Sequence, residues 1–457
     1  MTELLIHNAW VPADGTIVHE LIDPATRKLL EPIRCASPAQ RQLALEAAQN
    51  ALGGWARRSA DDRAAAIAAI VDEIRQAAGA LAERQAIESG QPLRECQDLI
   101  ASAIRRWRNP AAREPGAPAQ ATPCGADQRL PRGTDWLSKH EPDREHTAGT
   151  HQRRLRRQSL WPFWDGVLNS LVAGSTLVCE LPADQSLTAL AIAHCAHRLP
   201  PGVLNAVTVE PEAATSDSAT DFIFVAQDAY LDVAVAGAAA LRLYNTGQRQ
   251  GQSVRIHVEA ALAYRFADRL HEYLAFLEAG DPRKPVTDLG PLHCEAALDR
   301  AIDQISDALK RGALVKLGGR PYQPWGLRGY FLQPTLLVEG PGNERAPHEA
   351  ISAPVVIVSP TTDIGAALRE APNPRRLTAF VDPARAYLEK LERSLRAAAF
   401  EPRIRAYTPI VDRAWNPPVD ASNQDSTGNP AAAIDLEVLA APQLDWFPYK
   451  NRRGIKL

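Results

Sequence analysis

The stretch that decides the fold is residues 173–209, which read AGSTLVCELPADQSLTALAIAHCAHRLPPGVLNAVTV. It contains two short β-prone runs, at 177–179 and 203–209, with a helical pattern near residues 186–198 between them. A strand, a helix and a second strand in this order are typical of a unit that builds a parallel sheet. An α/β fold is therefore expected.

The same alternation continues toward the C-terminus. Two further helical patterns lie near residues 229–243 and 261–278. The β-prone runs of this half are at 222–225, 254–258, 313–317, 330–338, 355–358 and 377–381. From about residue 401 the periodicity fades into Pro, Asn, Asp and Gly, so the last fifty or so residues are weakly determined.

The N-terminal region predicts a strand at 4–11 and then three helices. Ser37 caps the first helix, with Pro38 at its first position, and Ser59 with Asp62 forms a capping box for the second. Apolar residues at helical spacing predict one buried face on the second and third helices. These residues are Ile67, Ile70, Val71 and Ile74, and then Leu93, Cys96, Ile100, Ile104 and Trp107.

Composition excludes several classes of function. The 457 residues suit two or three domains, and a net charge of -3 gives no global field that favours nucleic acid or a membrane. The six cysteines include no C-x-x-C pair, which indicates reduced thiols. The N-terminal residues do not resemble a signal peptide, and no apolar run is long enough to cross a bilayer, so a cytoplasmic location is expected.

Many short segments, in collinear order over roughly residues 5–381, resemble the NAD(P)-dependent aldehyde dehydrogenase superfamily. Those that match its sequence signatures best are LPPGVLNAV at 199–207, YNTGQ at 244–248, TDLGPL at 287–292 and GYFLQPTLL at 329–337. Others are WVPADG at 10–15, IDPAT at 22–26, ESGQPL at 88–93 and DAYLDVAV at 228–235. The resemblance implies an aldehyde dehydrogenase-like α/β fold. It is poor at 109–160 and beyond about residue 400.

The resemblance places the family's nucleophile motif, F-N-x-G-Q-x-C, on residues 244–250. Asn245, Gly247 and Gln248 of the motif are retained, but the cysteine position is Gln250. Oxidation of an aldehyde in this family needs a thiolate that attacks the carbonyl carbon, and a carboxamide cannot do this. The nearest hydroxyl, that of Ser253, lies beyond Gly251 and Gln252.

The contacts that the resemblance implies for the cofactor are also missing. The lysine that contacts the adenosine ribose in the family aligns with Glu180. The family's E-I-F-G-P aligns with residues 350–354, where Ala350 replaces the glutamate and Ser352 the phenylalanine. The family's E-L-G-G-K segment, which holds the general base, is absent. Too few residues separate Val209 from Phe222 for that segment and the G-S-T-x-x-G helix that faces the pyrophosphate. The oxyanion asparagine has no clear counterpart, since Arg157 stands at its position.

Three other constellations have simpler interpretations. His194 and His197 could share a metal, but a packed or exposed helix face is the simpler interpretation. His293 beside Cys294 could activate a thiol, although the resemblance places this segment away from the catalytic cleft. The basic run at 151–157 has no interleaved aromatic residues, which favours a solvated or interface face over nucleic-acid binding.

The expected architecture is a truncated Rossmann-type cofactor domain at 1–110 and 151–229, a catalytic-type domain at 230–400, and an arm and tail at 111–150 and 401–457 that serve oligomerisation. No intact catalytic, cofactor or metal site is predicted. The expected function is that of a non-catalytic subunit in a homo-oligomer or with an active enzyme of the family or its pathway. Two alternatives stay open, an NAD- or NADP-dependent oxidoreductase of aldehydes or acyl groups with atypical residues, and a decaying gene product.

Overall fold

A computed structural model describes most of the chain. The described residues are 2–108, 148–155, 160–211, 220–249, 252–340, 351–369, 374–381, 387–397, 400–407 and 432–439. The helices are α1 (Pro38–Ala56), α2 (Ala60–Gln76), α3 (Ala78–Ser89), α4 (Leu93–Arg108), α5 (Leu160–Val172), α6 (Ser186–His194), α7 (Leu231–Leu243), α8 (Ala263–Ala275), α9 (Glu295–Lys310), α10 (Ile364–Arg369) and α11 (Tyr387–Ala397).

The strands form two large sheets and one hairpin. They are β1 (Glu3–Ile6), β2 (Ala9–Pro12), β3 (Val18–Ile22), β4 (Leu29–Arg34), β5 (Thr150–Arg154), β6 (Thr176–Pro182), β7 (Leu204–Val209), β8 (Thr220–Val225), β9 (Gln252–Glu259), β10 (Leu314–Leu317), β11 (Thr335–Val338), β12 (Val355–Thr361), β13 (Pro374–Phe380), β14 (Phe400–Tyr407) and β15 (Ala432–Leu439). The predicted α/β class is confirmed.

The chain divides into two compact units, and each has one large sheet. The first unit is Met1–Thr215 with Gly280–His293 and Pro324–Tyr330, and the second is Ser216–Ala279, Cys294–Gln323 and Phe331–Leu457. Strand β8, which the sequence-based division placed in the cofactor-type domain, lies in the sheet of the second unit. The cofactor and catalytic roles of the two units stay predictions.

The first unit is built on a five-stranded sheet in the order β2-β1-β7-β6-β5. The strands β5, β6 and β7 are parallel, and β1 is antiparallel to its neighbours β2 and β7. The predicted strand-helix-strand unit of residues 173–209 is confirmed as β6-α6-β7. Part of the predicted basic run lies in this sheet as β5, and the run's last residues, 156 and 157, lie outside the described residues.

Both faces of β7 are covered within the chain. One face packs with Leu4, Ile6, Ala44 and Ala48, and the other belongs to the large core that contains Ile192 and Leu199. Every residue of β7 is buried. The antiparallel β1 lies beside β7 and α1 packs against it, so the apolar side chains of β7 are covered within the chain.

The N-terminal helices follow their sequence signals. The Ser37 hydroxyl accepts a hydrogen bond from the Gln40 amide, the Gln40 side chain accepts one from the Ser37 amide, and Ser59 caps α2. The predicted buried faces of α2 and α4 are confirmed, with Leu93 only partly buried. The predicted strand at 4–11 is wrong as a single element, because His7 and Asn8 adopt positive φ and turn the chain into the hairpin β1-β2. Helix α3 was not predicted.

The second unit is built on an eight-stranded sheet in the order β10-β11-β12-β9-β8-β13-β15-β14. All neighbouring strands are parallel except β10 and β11. Helices α10 and α11 cover the face that carries Phe222, Phe224 and Leu377. Strands β14 and β15, from the region expected to form a tail, pair within this sheet. The expected arm at 111–150 lies outside the described residues, apart from residues 148–150.

Candidate functional site

The retained part of the nucleophile motif forms a tight turn between α7 and β9. This motif turn, Tyr244–Gly247, has three successive residues at positive φ, Asn245 at 53°, Thr246 at 56° and Gly247 at 70°. Asn and Gly adopt this conformation readily, whereas a β-branched threonine rarely does. Gln250, at the nucleophile position, lies outside the described residues.

The motif turn is buried. Thr246 and Gln248 are each 1% exposed, and Asn245 is 7% exposed. The Gln248 amide donates to the Asn245 carbonyl and closes the turn at 3.0 Å. The three retained motif residues are therefore held in one defined backbone conformation, next to the start of β9.

The structure brings the motif turn together with the segment aligned to E-I-F-G-P. A Cβ on Gly247 would lie 2.2 Å from the carbonyl oxygen of Ala353, so only glycine permits this approach. Ile351 and Ala353 are buried, whereas Ser352 is exposed and Ala350 lies outside the described residues. Two segments that were aligned separately to the family are thus neighbours in the second unit.

A buried arginine joins these two segments. Arg242, in the last turn of α7, is 1% exposed. Its Nη1 donates to the Gly247 carbonyl at 2.8 Å, and its Nη2 donates to the carbonyls of Ile351 and Ala353. Burial lowers the pKa of Arg242 to about 9, so the guanidinium is still charged at neutral pH. Sequence reasoning missed Arg242, although a charged residue directly after the apolar run 233–241 was a usable signal.

The remaining predicted cofactor position, Glu180, lies on β6 in the first unit. Its carboxylate is 3.8 Å from the guanidinium of Arg154, which stands opposite it on β5. Arg154 also donates to the Glu210 carbonyl at the end of β7. Where the resemblance implies a lysine on the adenosine ribose, this chain therefore has a carboxylate that is paired with an arginine.

The described residues do not offer the dinucleotide site that the resemblance implies. Only residues 210–219 lie between β7 and β8, and these two strands belong to different sheets. A crossover with a single helix alone takes roughly a dozen residues. The interval has no room for the extra strand, the phosphate-facing helix and the base-bearing segment that the resemblance implies.

Four cysteines of the described residues are buried and are poor candidates for a substitute nucleophile. Burial raises the pKa of Cys179 to about 12 and that of Cys195 to about 11, and it also raises the pKa values of Cys35 and Cys96. These four thiols stay protonated at neutral pH, so they are poor nucleophiles. Cys294 is half-exposed at the N-cap of α9. Cys124 lies outside the described residues.

The histidine pair occupies the surface near the β1-β2 hairpin. The rings of His194 and His197 are 6.2 Å apart, and His194 also lies 5.5 Å from the Trp10 ring. Among the described residues, no group of three or more His, Cys, Asp or Glu side chains is placed to hold a metal ion. Within those same ranges, no helix combines the length and the apolar character needed to span a membrane.

Comparison with known proteins gives a consistent family match. The sequence model described as the aldehyde dehydrogenase family matches residues 10–131 and 216–375, more than half of the chain. Residues 132–215, which include Glu180, are outside the match.

Two curated relatives are semialdehyde dehydrogenases. The chain is 26% identical over 385 residues to glutarate-semialdehyde dehydrogenase of Pseudomonas aeruginosa, covering 74% of this chain and 76% of that protein. It is 25% identical over 401 residues to the NADP(+) succinate-semialdehyde dehydrogenase of Escherichia coli, covering 77% and 79% of the two chains.

Solved structures show the same fold. Lactaldehyde dehydrogenase from Escherichia coli superimposes with a TM-score of 0.68 at 20% identity, over 86% of this chain and 89% of that one. A mutant of aldehyde dehydrogenase C from Pseudomonas syringae, complexed with NAD+ and octanal, gives 0.70 at 18% identity, over 96% and 89%.

Proposed function

The chain belongs to the aldehyde dehydrogenase family, and we propose that it acts there as a catalytically inactive structural or regulatory subunit. One observation carries the proposal: the position of the attacking thiol is Gln250, directly after a motif whose Asn245, Gly247 and Gln248 are retained. The carboxamide has no nucleophilic electron pair comparable to that of a thiolate. The covalent step of aldehyde oxidation therefore has no group to begin it.

Two further features, the short segment between β7 and β8 and the ion pair of Glu180, support the same conclusion. The interval between β7 and β8 has no room for the helix and the base that the family places there. Glu180 is paired with Arg154 at the expected ribose contact. Each lost contact of this kind lowers a rate by roughly 100- to 1000-fold in well-studied enzymes, and the losses lie in separate parts of the chain.

The first test of the proposal is restoration of the thiol. We expect Gln250→Cys to remain without NAD+- or NADP+-dependent oxidation of succinate or glutarate semialdehyde, because the base and the cofactor cleft are missing as well. The measurement is the absorbance of the reduced nucleotide. The Escherichia coli succinate-semialdehyde dehydrogenase, assayed in parallel, is the positive control. Turnover by the unaltered chain, lost in Gln250→Ala, would overturn the proposal.

Cofactor binding is tested separately from turnover. We expect no saturable rise in the melting temperature with NAD(H) or NADP(H), since a ligand that binds only the folded chain must raise it. The active relative again serves as the control. A saturable rise in this chain would favour the second candidate function, an oxidoreductase of aldehydes or acyl groups with atypical residues. That candidate is favoured by the similarity to two semialdehyde dehydrogenases over three quarters of the chain.

The subunit role predicts a partner. We propose a homo-oligomer, or a mixed oligomer with an active enzyme of the family or its pathway. The molecular mass in solution should then exceed 49.7 kDa, or tagged chain purified from its native host should retain an aldehyde dehydrogenase. A monomeric mass, together with no aldehyde dehydrogenase copurified from the native host, contradicts the subunit role. That result favours a chain without function.

A further inference from the structure

We propose that Arg242 is a tethered ligand of the motif turn, and that free guanidinium can bind in its place when the side chain is removed. The binding site is a carbonyl cradle formed by the carbonyl oxygens of Gly247, Ile351 and Ala353. The guanidinium of Arg242 donates to all three. The inference rests on these contacts alone and holds whether or not the chain binds a nucleotide.

The carbonyl cradle is built for a planar cation. Three backbone dipoles converge on one guanidinium through two of its nitrogens, a geometry that a fork of fixed N–H donors matches and a single ammonium does not. Within the described residues, the guanidinium of Arg242 donates to carbonyl oxygens, and its Nε has no hydrogen-bond partner there. The charge is therefore compensated by carbonyl dipoles in this part of the structure.

The three carbonyls depend on the cation to different degrees. The Ala353 carbonyl also accepts from the Val355 amide, at 2.7 Å, and the Ile351 carbonyl accepts from the Ala353 amide, at 3.0 Å. For the buried Gly247 carbonyl, the described hydrogen bond is the one from Arg242. Loss of the cation would leave this buried oxygen without its described donor. An unsatisfied buried carbonyl is costly, so most of the loss of stability should arise at Gly247.

The cradle explains how a strained turn persists. Three successive residues with positive φ, one of them Thr246, remain in place only where the surrounding structure determines them strongly. Arg242 reaches across the turn from α7 and fixes it against residues 351–353. The chain thus contributes the cation itself, and the turn keeps its conformation without a bound molecule.

The experiment removes the Arg242 side chain by mutation and supplies free guanidinium in solution. Arg242→Ala is refolded with low-millimolar guanidinium or methylguanidinium, and with urea, which has a similar planar shape without the charge. Leu243→Ala, a buried truncation of the next residue without the cradle, is the matched control. We expect a lower melting temperature in Arg242→Ala, a saturable recovery with the two cations, no recovery with urea, and no cation effect in Leu243→Ala.

A second variant keeps the test decisive if Arg242→Ala does not fold. Arg242→Met retains the length and the apolar packing and removes the charge and the donors. We expect it to be less stable than the unaltered chain, with faster amide hydrogen exchange at residues 247–249 and 351–355 than elsewhere in the second unit. Equal stability and unchanged exchange in Arg242→Met, or recovery of Arg242→Ala by urea as well as by guanidinium, would overturn the proposal.

Discussion

At the scale of single residues, the backbone conformation of the motif turn restricts which residues it can contain, independently of any catalytic role. The sequence retains the asparagine, the glycine and the glutamine of the family motif, and the structure shows why a change there is costly. Gly247 cannot carry a side chain against the Ala353 carbonyl, and Asn245 tolerates a left-handed conformation. Such constraints come from the backbone, so they do not depend on which residue stands at position 250.

Thr246 gives a direct test of this strain. At φ 56° a residue with a Cβ is disfavoured relative to glycine, so Thr246→Gly should be more stable than Thr246→Ala by about 1 kcal/mol. Comparing the two variants cancels the loss of the threonine side chain, and denaturant unfolding measures the difference.

The helical residue Thr188 is the matched control for Thr246. There the order should reverse, with Thr188→Gly less stable than Thr188→Ala, because glycine costs about 1 kcal/mol within a helix. If the glycine and alanine variants at position 246 also follow the helical order, the turn is not strained in solution.

At the scale of elements, the sequence predicted what is determined locally. Caps, apolar stripes and the strand-helix-strand unit of residues 173–209 depend on near neighbours, and they are confirmed. The position of β1 beside β7 and the pairing of β15 with β13 depend on contacts between residues far apart in the chain. No local pattern encodes them. The contacts of Arg242 were missed for the same reason, since Ile351 and Ala353 are more than a hundred residues away.

Helix α6 shows how a distant side chain can complete an element. The buried carboxylate of Glu88, from α3, accepts hydrogen bonds from the amides of Leu187 and Thr188 and from the Thr188 hydroxyl. Burial raises the pKa of Glu88 above its ordinary value of 4.5, and the hydrogen bonds to the carboxylate only partly oppose this. The side chain therefore caps the first turn of α6 from another helix.

The raised pKa of Glu88 predicts a definite pH dependence. The folded chain holds the proton more tightly than the unfolded chain, so the stability from this group is fully present below 4.5 and declines as pH rises through the raised pKa. The unfolding free energy of the unaltered chain, relative to Glu88→Gln, should thus fall as pH rises above 4.5. Glu83→Gln, an exposed change on the same helix, is the control and should change little. A relative stability that rises with pH would contradict this assignment.

At the scale of the whole molecule, each unit is assembled from segments that are separated in sequence. The first unit includes Gly280–His293 and Pro324–Tyr330 as well as the N-terminal half of the chain. The Leu93 amide donates to the Pro282 carbonyl at 2.7 Å, and Arg94 pairs with Asp288 at 3.0 Å. A Cβ on Gly290 would lie only 1.8 Å from the Gly90 carbonyl oxygen, so the two backbones are in direct contact.

This assembly predicts that residues 1–215 alone are less stable than the same residues in the intact chain. The isolated fragment should unfold at a lower denaturant concentration than the intact chain, because the start of α4 and the Gly90 turn lose their partners. A synthetic peptide of residues 280–293 should restore part of the fragment's stability in a saturable manner. The same peptide with Asp288→Ala should restore less, because it lacks the carboxylate that pairs with Arg94. Unfolding of the fragment at the midpoint of the intact chain, with no response to either peptide, would show instead that the N-terminal half folds without these later segments.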